Sequence, residues 1–317
     1  MNLSILFVNW NSTGYLRECI ASIYEFTRGI SFEIVVVDNA SPAQDLDGLA
    51  GQFPGVNIVK SPRNLGFAKA NNLAFRHSSG ECVLFLNPDT RLVGPAIQVM
   101  LDRLRSLPNA GIIGCKLFNT DLSLQTSCIQ TFPTIFNQLL DIEYLQLRFP
   151  NSRLWGIGPL FSDNPEAAPV EAISGACMML KREVFERAGR FSEDYFMYAE
   201  DLDLCYKVAR AGFTNYYVGE AAMIHHGGGS SQQRRADQWA TIMKFRAVQH
   251  FCVKTRGRVY GFGYRVAMGC SAVGRLLLIA AAFPFAKAWR HTHALSAASA
   301  KWNAVLRWAL GLEKAAC

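Results

Sequence analysis

"FEIVVVDNAS", residues 32–41, runs from four successive apolar residues, Ile34 to Val37, into Asp38 and a polar turn. A strand without apolar–polar alternation is apolar on both faces, which suits a parallel sheet covered by helices above and below. Its surroundings keep the same rhythm. "LSILFVNW" (3–10) reads as a first strand, and "YLRECIASIYEF" (15–26) as an amphipathic helix with Leu16, Ile20, Ile23 and Tyr24 on one face. "VNIVKS" (56–61) is a third strand, "GFAKANNLAFRHS" (66–78) a helix and "ECVLFLNPD" (81–89) a fourth strand. This alternation predicts an α/β layered fold with a mainly parallel central sheet. In open sheets of this kind ligands bind beyond the carboxyl ends of the strands, where Asn9, Asp38 and Asp89 fall.

Length and charge narrow the function classes. The chain has 317 residues, 50% of them hydrophobic, enough for one large domain or two modest ones. Residues 240–317 carry twelve Lys/Arg and one acid, Glu313, a net +11; residues 1–239 then hold twenty basic and twenty-four acidic residues, a net −4. The cationic excess belongs to the tail alone, which excludes a uniformly basic nucleic-acid binder. Nine cysteines without a CxxC pair read as buried reduced thiols rather than a disulfide framework or a zinc site. "MNLSILFVNWN" has neither a basic n-region nor a small-residue cleavage site and reads as the first strand of a cytosolic domain. No GxGxxG follows that strand and no Walker sequence occurs, so a glycine-rich dinucleotide or ATP cradle is not expected.

Residues 119–169 lose the periodicity and contain "FPNSRLWGIGPLFSDNPEAAP", a long loop region expected near the site. Order returns in "VEAISGACMMLKREVFERAG" (170–189), a strand and a short helix, and in "EDLDLCYKVARAG" (200–212), a helix with Leu202, Cys205, Tyr206 and Ala209 inward. "TNYYVGEAAMIHH" then leads a strand into "GGGSS". From about residue 240 the character changes. "AMGCSAVGRLLLIAAAFPFA" (267–286) is twenty residues long and apolar apart from Ser271 and Arg275. Its length is marginal for a membrane span and Arg275 sits near its middle, which favours a helix or helical hairpin lying in the lipid interface, drawn to anionic lipids by its cations. "ALSAASAKWNAVLRWALGL" is amphipathic, with Trp302, Val305, Trp308 and Ala309 on one stripe. The alternative is that both helices pack on the catalytic domain or on a second subunit of a homo-oligomer.

Three short stretches carry the chemistry. In "LFLNPDT" (84–90) an apolar run ends at Asn87-Pro88-Asp89. Taken singly, Asp89 and Asp38 are ordinary turn formers, yet two carboxylates at neighbouring strand ends also suit a charged, metal-bound ligand. "HHGGGSS" (225–231) offers an imidazole to a metal held by a carboxylate, and glycines through which backbone N–H groups can approach phosphate oxygens; a hairpin loop with two solvated histidines is the alternative. "YFMYAEDLDLCY" (195–206) sets Glu200, Asp201 and Asp203 at a helix start behind Tyr195, Phe196 and Tyr198. First-turn carboxylates stabilise a helix, but an Asp beside aromatics can also serve as a general base facing a sugar ring.

Taken in order, "ILFVNWNSTGYLRECIASI", "EIVVVDNAS", "RNLGFAKANN", "LFLNPDT", "SGACMMLKREVFERAGRFSEDYFMYAEDLDLCYKVARAG" and "HHGGGSS" resemble the family 2 inverting glycosyltransferases of GT-A fold, and among them the bacterial rhamnosyltransferase-like members. The resemblance covers residues 3 to about 231. It implies that Asp38, with the main chain of Val8 and Asn9 beside it, contacts the base or ribose of a nucleotide-sugar donor, and that Asn64 and Asn71 line the nucleotide pocket. Asn87-Pro88-Asp89 stands where the family has its DxD metal motif. Asn87 occupies the first acidic position, so Asp89 is the remaining carboxylate ligand, with His225 the matching imidazole and His226 the lesser choice. Mg²⁺ or Mn²⁺ is the implied metal, its shell completed by the donor diphosphate and water. Asp201 is the implied catalytic base, Glu200 orients the site or acceptor, and Ser174, Gly175 and Ala176 form a loop against donor sugar and acceptor. Asp203 is left as a helix-start residue.

These readings together predict a glycosyltransferase domain over residues 1–239 and a basic, apolar helical tail over 240–317 that binds an anionic membrane surface. The expected activity is transfer of rhamnose from dTDP-rhamnose to a lipid-linked saccharide for cell-surface polysaccharide, at the cytoplasmic face of the bacterial inner membrane; the alternatives are transfer from another donor such as a UDP-sugar, or a catalytically inactive membrane-bound scaffold of the same fold.

Overall fold

The computed structural model describes residues 1–42, 46–141, 143–162, 166–227, 237–288 and 292–312. The predicted strand–helix order is present from the first residues: β1 (Leu3–Asn9), α1 (Thr13–Phe26), β2 (Phe32–Asp38), α2 (Leu46–Gln52), β3 (Val56–Lys60), α3 (Gly66–Arg76) and β4 (Cys82–Leu86). There follow β5 (Thr90–Leu92), α4 (Ala96–Ser106), β6 (Ala110–Phe118), β7 (Ile129–Gln130), α5 (Ile135–Leu139), α6 (Glu143–Arg148), β8 (Ala168–Val170), β9 (Ala172–Ile173), β10 (Cys177–Lys181), α7 (Arg182–Arg187), α8 (Glu200–Arg210) and β11 (Thr214–His225). Three longer helices, α9 (Asp237–Arg256), α10 (Arg258–Ala288) and α11 (Thr292–Ala309), complete the chain.

Two compact units result. The first comprises Met1–Phe132 with Tyr144–Gln233, the second Pro133–Glu143 with Arg234–Cys317. The first unit is a mixed α/β layer around one sheet of order β3-β2-β1-β4-β10-β6-β11-β5, with β8 against β11. From β3 to β4 the strands are parallel. The apolar runs explain why: all five residues of β4, and Leu3, Ile5, Leu6 and Phe7 of β1, are buried, as strands covered on both faces require. The chain leaves β1 toward β2 and β3, then returns to β1's other side as β4, so the carboxyl ends of β1 and β4 form the crevice where such sheets bind ligands.

Two later strands, β10 and β11, bring distant parts of the chain to that crevice. β10 enters between β4 and β6 with Cys177 opposite Leu86, so the residues just before β10 lie beside Asn87. β11 runs parallel to β6 and antiparallel to β5, with His225 opposite Thr90. Beneath the crevice Phe75, Phe85, Phe185 and Phe191 pack with ring centroids 4.8–5.5 Å apart, in the tilted and edge-on geometries aromatic rings prefer. Asn72 fastens Phe191 to α3, donating from Nδ2 to the Phe191 carbonyl (2.9 Å) and accepting its N–H at Oδ1 (3.2 Å).

Some faces differ from the sequence reading. Tyr24 is 40% exposed and stacks on Phe53 outside the layer, while Cys19 and Ser22 complete the buried side of α1. In α8, Ala209 is exposed and Tyr206 half-buried, and Leu204 and Val208, four residues apart, turn inward with Leu202 and Cys205. Residues 119–169 are not one loop but a chain of short elements, among them β7, which pairs with β9 beyond the segment.

The second unit holds α5 and α9–α11. Val248, Cys252, Tyr264, Met268, Ala272, Val305 and Trp308 form its core, so the predicted Val305–Trp308 stripe is a packed face. The apolar segment 267–286 is part of a single 31-residue helix, α10. Arg275 does not interrupt it: the guanidinium lies 4.4 Å over the Trp302 ring and donates to the Leu139 carbonyl (3.2 Å) and to Ser271 Oγ (3.3 Å). Arg265 donates to the last carbonyls of α11, Trp308 (2.7 Å) and Ala309 (3.0 Å), where a cation suits the helix dipole. A stripe of α10 at helical spacing, Val259, Phe262, Val266, Val273 and Leu277, stays exposed.

One glycine is demanded by the close approach of two segments. Gly66 has φ +77°, and a Cβ there would lie 2.3 Å from the Phe196 carbonyl oxygen, which also accepts the Phe67 N–H at 2.9 Å. Gly66→Ala should therefore cost about 3 kcal/mol through strain and backbone displacement, read as a lowered thermal unfolding midpoint. An unchanged midpoint would show that the 190s loop does not press on α3.

Candidate active site

At the carboxyl ends of β1 and β2 the register sets Asn9 opposite Asp38. Both are buried, and Asn9 Nδ2 donates to Asp38 Oδ1 (3.0 Å) and to Thr13 Oγ1 (3.2 Å). Asp38 Oδ2 accepts the Ser41 N–H at 3.3 Å, so Asp38 both closes a turn and edges the crevice. Val8 is half-buried one residue earlier, opposite Val37. Asn39, which sequence reasoning passed over within "DNAS", ties this edge to α3. It donates from Nδ2 to Asn64 Oδ1 (3.0 Å) and the Gly66 carbonyl (3.2 Å), and accepts the Leu65 N–H (2.7 Å). Asn64 in turn accepts the Gly66 N–H (2.9 Å). Asn71 is buried with its amide donating within α3 to the Phe67 carbonyl (3.1 Å).

A second group forms at the end of β4. Because β5 pairs with β11, His226 N–H reaches the Asp89 carbonyl (2.9 Å) and the His225 ring faces the Asp89 side chain, with Nε2 3.3 Å from Oδ1. His225 Nε2 also lies 3.4 Å from Asn87 Nδ2, and its Nδ1 lies 2.8 Å from Gln125 Oε1. The His226 ring instead packs on Tyr15, centroids 4.9 Å apart. Gly228 and Gly229, with Ser230 and Ser231 of the same predicted phosphate-approaching loop, lie outside the described residues.

A carboxylate and an imidazole nitrogen converging on one point suit Mg²⁺ or Mn²⁺ that keeps several positions for phosphate and water. Among the described residues no group of three or more His, Cys, Asp or Glu side chains is arranged to hold a metal. The donor set therefore fits a cation shared with a bound diphosphate, not a closed protein cage.

The third group surrounds Asp201. Tyr198 and Ala199 both adopt left-handed backbone, φ +71° and +59°, immediately before α8, a strained entry of the kind concentrated at functional sites. Asp201 Oδ2 accepts the Gly175 N–H (2.9 Å) and Oδ1 the Leu202 N–H (2.8 Å). One residue on, the Ala176 carbonyl accepts the Asn87 N–H (3.0 Å). Ser174, Gly175 and Ala176 thus form a bridge from the Asn87–Asp89 turn to Asp201.

The neighbouring carboxylates separate by environment. Asp203 is buried and accepts from Ser192 Oγ (2.5 Å) and Tyr195 Oη (3.4 Å), with Lys207 Nζ at 3.3 Å; these bonds anchor α8 to the loop before it. Glu200 is buried, and its Oε2 has no hydrogen-bond partner among the described residues. Burial first, then the adjacent Asp201 charge, push its carboxyl up to about 8. At neutral pH Glu200 therefore stays protonated beside half-buried Asp201.

The model of the family described as Glycosyl transferase family 2 matches residues 4–189. A Sinorhizobium fredii protein designated y4gI is 28% identical over 228 residues, covering 70% of this chain and 24% of that protein. The N-acetylglucosaminyl-diphospho-decaprenol L-rhamnosyltransferase of Mycobacterium tuberculosis is 26% identical over 247 residues, covering 70% of this chain and 75% of the relative. The chain thus spans about a quarter of the first relative's length and three quarters of the second's. The solved mannosyltransferase PcManGT from Pyrobaculum calidifontis, in complex with GDP-Man and Mn²⁺, has a TM-score of 0.59 at 18% identity, covering 98% of this chain and 86% of that one. At that identity the likeness is one of fold.

Glu200 yields a pH test. The folded protein keeps this proton up to about pH 8, whereas the unfolded carboxyl releases it near 4.5. The folded state therefore binds more protons in that window and loses stability as pH rises through it. Glu200→Gln keeps the neutral shape and cannot ionise, so its unfolding midpoint relative to wild type should climb between about pH 5 and about pH 8.5. Parallel curves for the two proteins would remove Glu200 as the buried acid.

Proposed function

Since the chain belongs to glycosyl transferase family 2 and is therefore a glycosyltransferase, we propose that it is a metal-dependent, inverting enzyme that moves rhamnose from dTDP-rhamnose to a lipid-linked saccharide. The observation that carries this reading is the Ser174–Ala176 bridge, hydrogen-bonded at one end to the Asn87–Asp89 turn and at the other to Asp201. Such a bridge suits a reaction that needs a leaving-group site and a base held in one fixed relation. Rhamnose and the lipid-linked acceptor are supported by the name of the mycobacterial relative. Mn²⁺ is supported by the fold neighbour in complex with it and by the Asp89–His225 pair.

In this mechanism Asp38 and Asn9 bind the nucleoside, with Asn64 and Asn71 on the α3 side of the pocket. Asp89 and His225 would hold Mg²⁺ or Mn²⁺, which when bound would neutralise charge building on the departing diphosphate. Asp201 takes the proton of the acceptor hydroxyl as that oxygen bonds to the anomeric carbon. The bond from that carbon to the diphosphate breaks, its electron pair leaves with the nucleoside diphosphate, and the anomeric centre inverts. The Gly175 and Leu202 N–H groups keep the Asp201 carboxylate oriented, while protonated Glu200 adds no competing charge.

Residues 240–317 are read as a membrane-associating tail that brings the enzyme to a lipid-borne acceptor at the cytoplasmic face of the inner membrane. The support is the exposed apolar stripe of α10 together with the tail's net +11. Arg258–Phe283 is also long and apolar enough by composition to cross a bilayer.

Two experiments test these parts separately. With Mn²⁺ present, dTDP-rhamnose should raise the unfolding midpoint of wild type and of Asp201→Asn alike, while the variant loses transfer by at least about 10³-fold. Near-normal turnover would remove Asp201 as base, and a larger shift with UDP-hexoses would reassign the donor. Leu277→Glu combined with Leu278→Glu, at positions 67% and 72% exposed, should abolish flotation with vesicles containing phosphatidylglycerol. Unchanged flotation would reject the interfacial role of α10.

A further inference from the structure

The side chain that faces the outer nitrogen of His225 comes from the irregular segment after β6. There the chain reverses in a tight turn, with Asn119 N–H donating to the Ser123 carbonyl (2.8 Å) and Asp121 Oδ1 accepting both Ser123 N–H (3.0 Å) and Ser123 Oγ–H (2.6 Å). The returning strand is fixed by the Gln125 N–H to the Leu117 carbonyl (2.9 Å). This delivers the Gln125 side chain to the end of β11, where every polar atom of its amide is engaged. Nε2 donates to Asn119 Oδ1 (2.8 Å) and to the His225 carbonyl (3.1 Å), and Oε1 lies 2.8 Å from His225 Nδ1.

A backbone carbonyl can only accept, so the amide's NH₂ must face it and its oxygen must face the imidazole. An amide oxygen likewise only accepts, so His225 Nδ1 carries a hydrogen. In the neutral ring the lone pair then sits on Nε2, the nitrogen 3.3 Å from Asp89 Oδ1 and within reach of the Asn87 amide. A lone pair and a carboxylate oxygen at that separation repel unless a metal cation, or the second proton of an imidazolium, lies between them. Free neutral histidine prefers the opposite tautomer, with hydrogen on Nε2, which would turn an N–H toward the metal position and block ligation.

We propose that Gln125 is a positioning residue that holds His225 in its Nδ1–H tautomer and so preforms the imidazole half of the metal site. The proposal rests on the metal-dependent reading above and extends it to a residue outside every motif of the sequence. Outer partners of metal-bound histidines fix tautomer and ring orientation, and losing one costs about 10–100-fold in metal affinity.

The test uses the full chain. In metal-free protein with ¹⁵N-labelled histidine, at a pH where the ring is neutral, His225 (assigned by its loss in His225→Ala) should show a pyrrole-type Nδ1 and a pyridine-type Nε2. Gln125→Met keeps the side chain's length but cannot accept from Nδ1. It should shift that spectrum toward the Nε2–H form and weaken Mn²⁺ binding about 10–100-fold, measured by electron paramagnetic resonance with saturating dTDP. A wild-type His225 protonated at Nε2 overturns the proposal without any variant having to fold, as does Mn²⁺ affinity unchanged in Gln125→Met. If wild type binds no Mn²⁺ with dTDP, the metal reading falls and takes this role with it. The tautomer spectrum, which needs no metal, shows which of the two statements failed.

Discussion

The geometry of the site depends on one pair of hydrogen bonds made by adjacent backbone groups: Asn87 N–H to the Ala176 carbonyl, and Gly175 N–H to the Asp201 side chain. Adjacent residues of one loop thus connect the end of β4 with the start of α8. The loop can do this only because β10 is inserted antiparallel between β4 and β6, which brings its first residues to the carboxyl end of β4. A parallel strand there would present its last residues instead, and the chain would need another segment to reach Asp201. The reversal of direction within the sheet is what joins the two halves of the chemistry.

The same logic governs the Asp89–His225 pair. Asp89 lies just before β5, a strand of three residues, and His225 is the last residue of β11. Their antiparallel pairing makes the histidine's neighbour donate its N–H to the Asp89 carbonyl, so the two side chains meet without help from a longer loop. Around α8, strain and anchoring oppose each other. Two left-handed residues precede the helix, and Asp203, with Ser192, Tyr195 and Lys207 on its oxygens, holds the turn closed. Of the ED pair, Asp201 is thereby kept half-exposed and Glu200 buried.

Much of this was legible from short stretches. Continuous apolar runs ending in Asn9, Asp38 and Asn87 marked the buried parallel strands and their functional ends, because burial on both faces erases alternation. Other parts were not legible, for physical reasons. The helical period gave the right axis for α1 and α8 but not the rim of each face, since Tyr24 found aromatic partners outside the layer and Ala209 is too small to signal a side. Gln125 and Asn39 act through amide hydrogen bonds to residues distant in sequence, and a lone amide has no periodic pattern to betray it. α9 went unread because its apolar residues form no clean stripe. Arg275 argued against a simple membrane span, and its partners, Trp302 and the Leu139 carbonyl, could not be read from the sequence.

The position of β11 also bears on how the protein comes into being. Although latest in sequence among the strands, it lies inside the sheet, between β6 and β5. Until residues 214–225 have been synthesised, β5 has no strand to pair with and β6 keeps an open edge. The contacts that complete the site, Thr90 with His225 and Gly175 with Asp201, close loops of very different length, and the longest must wait for the last strand. On the ribosome, the Asn9–Asp38 edge at β1 and β2 can form early, whereas the Asp89–His225 pair cannot. A nascent chain is thus barred from assembling its chemistry before the sheet is finished, and the exposed edge of β6 is the surface a chaperone would have to shield in the interval.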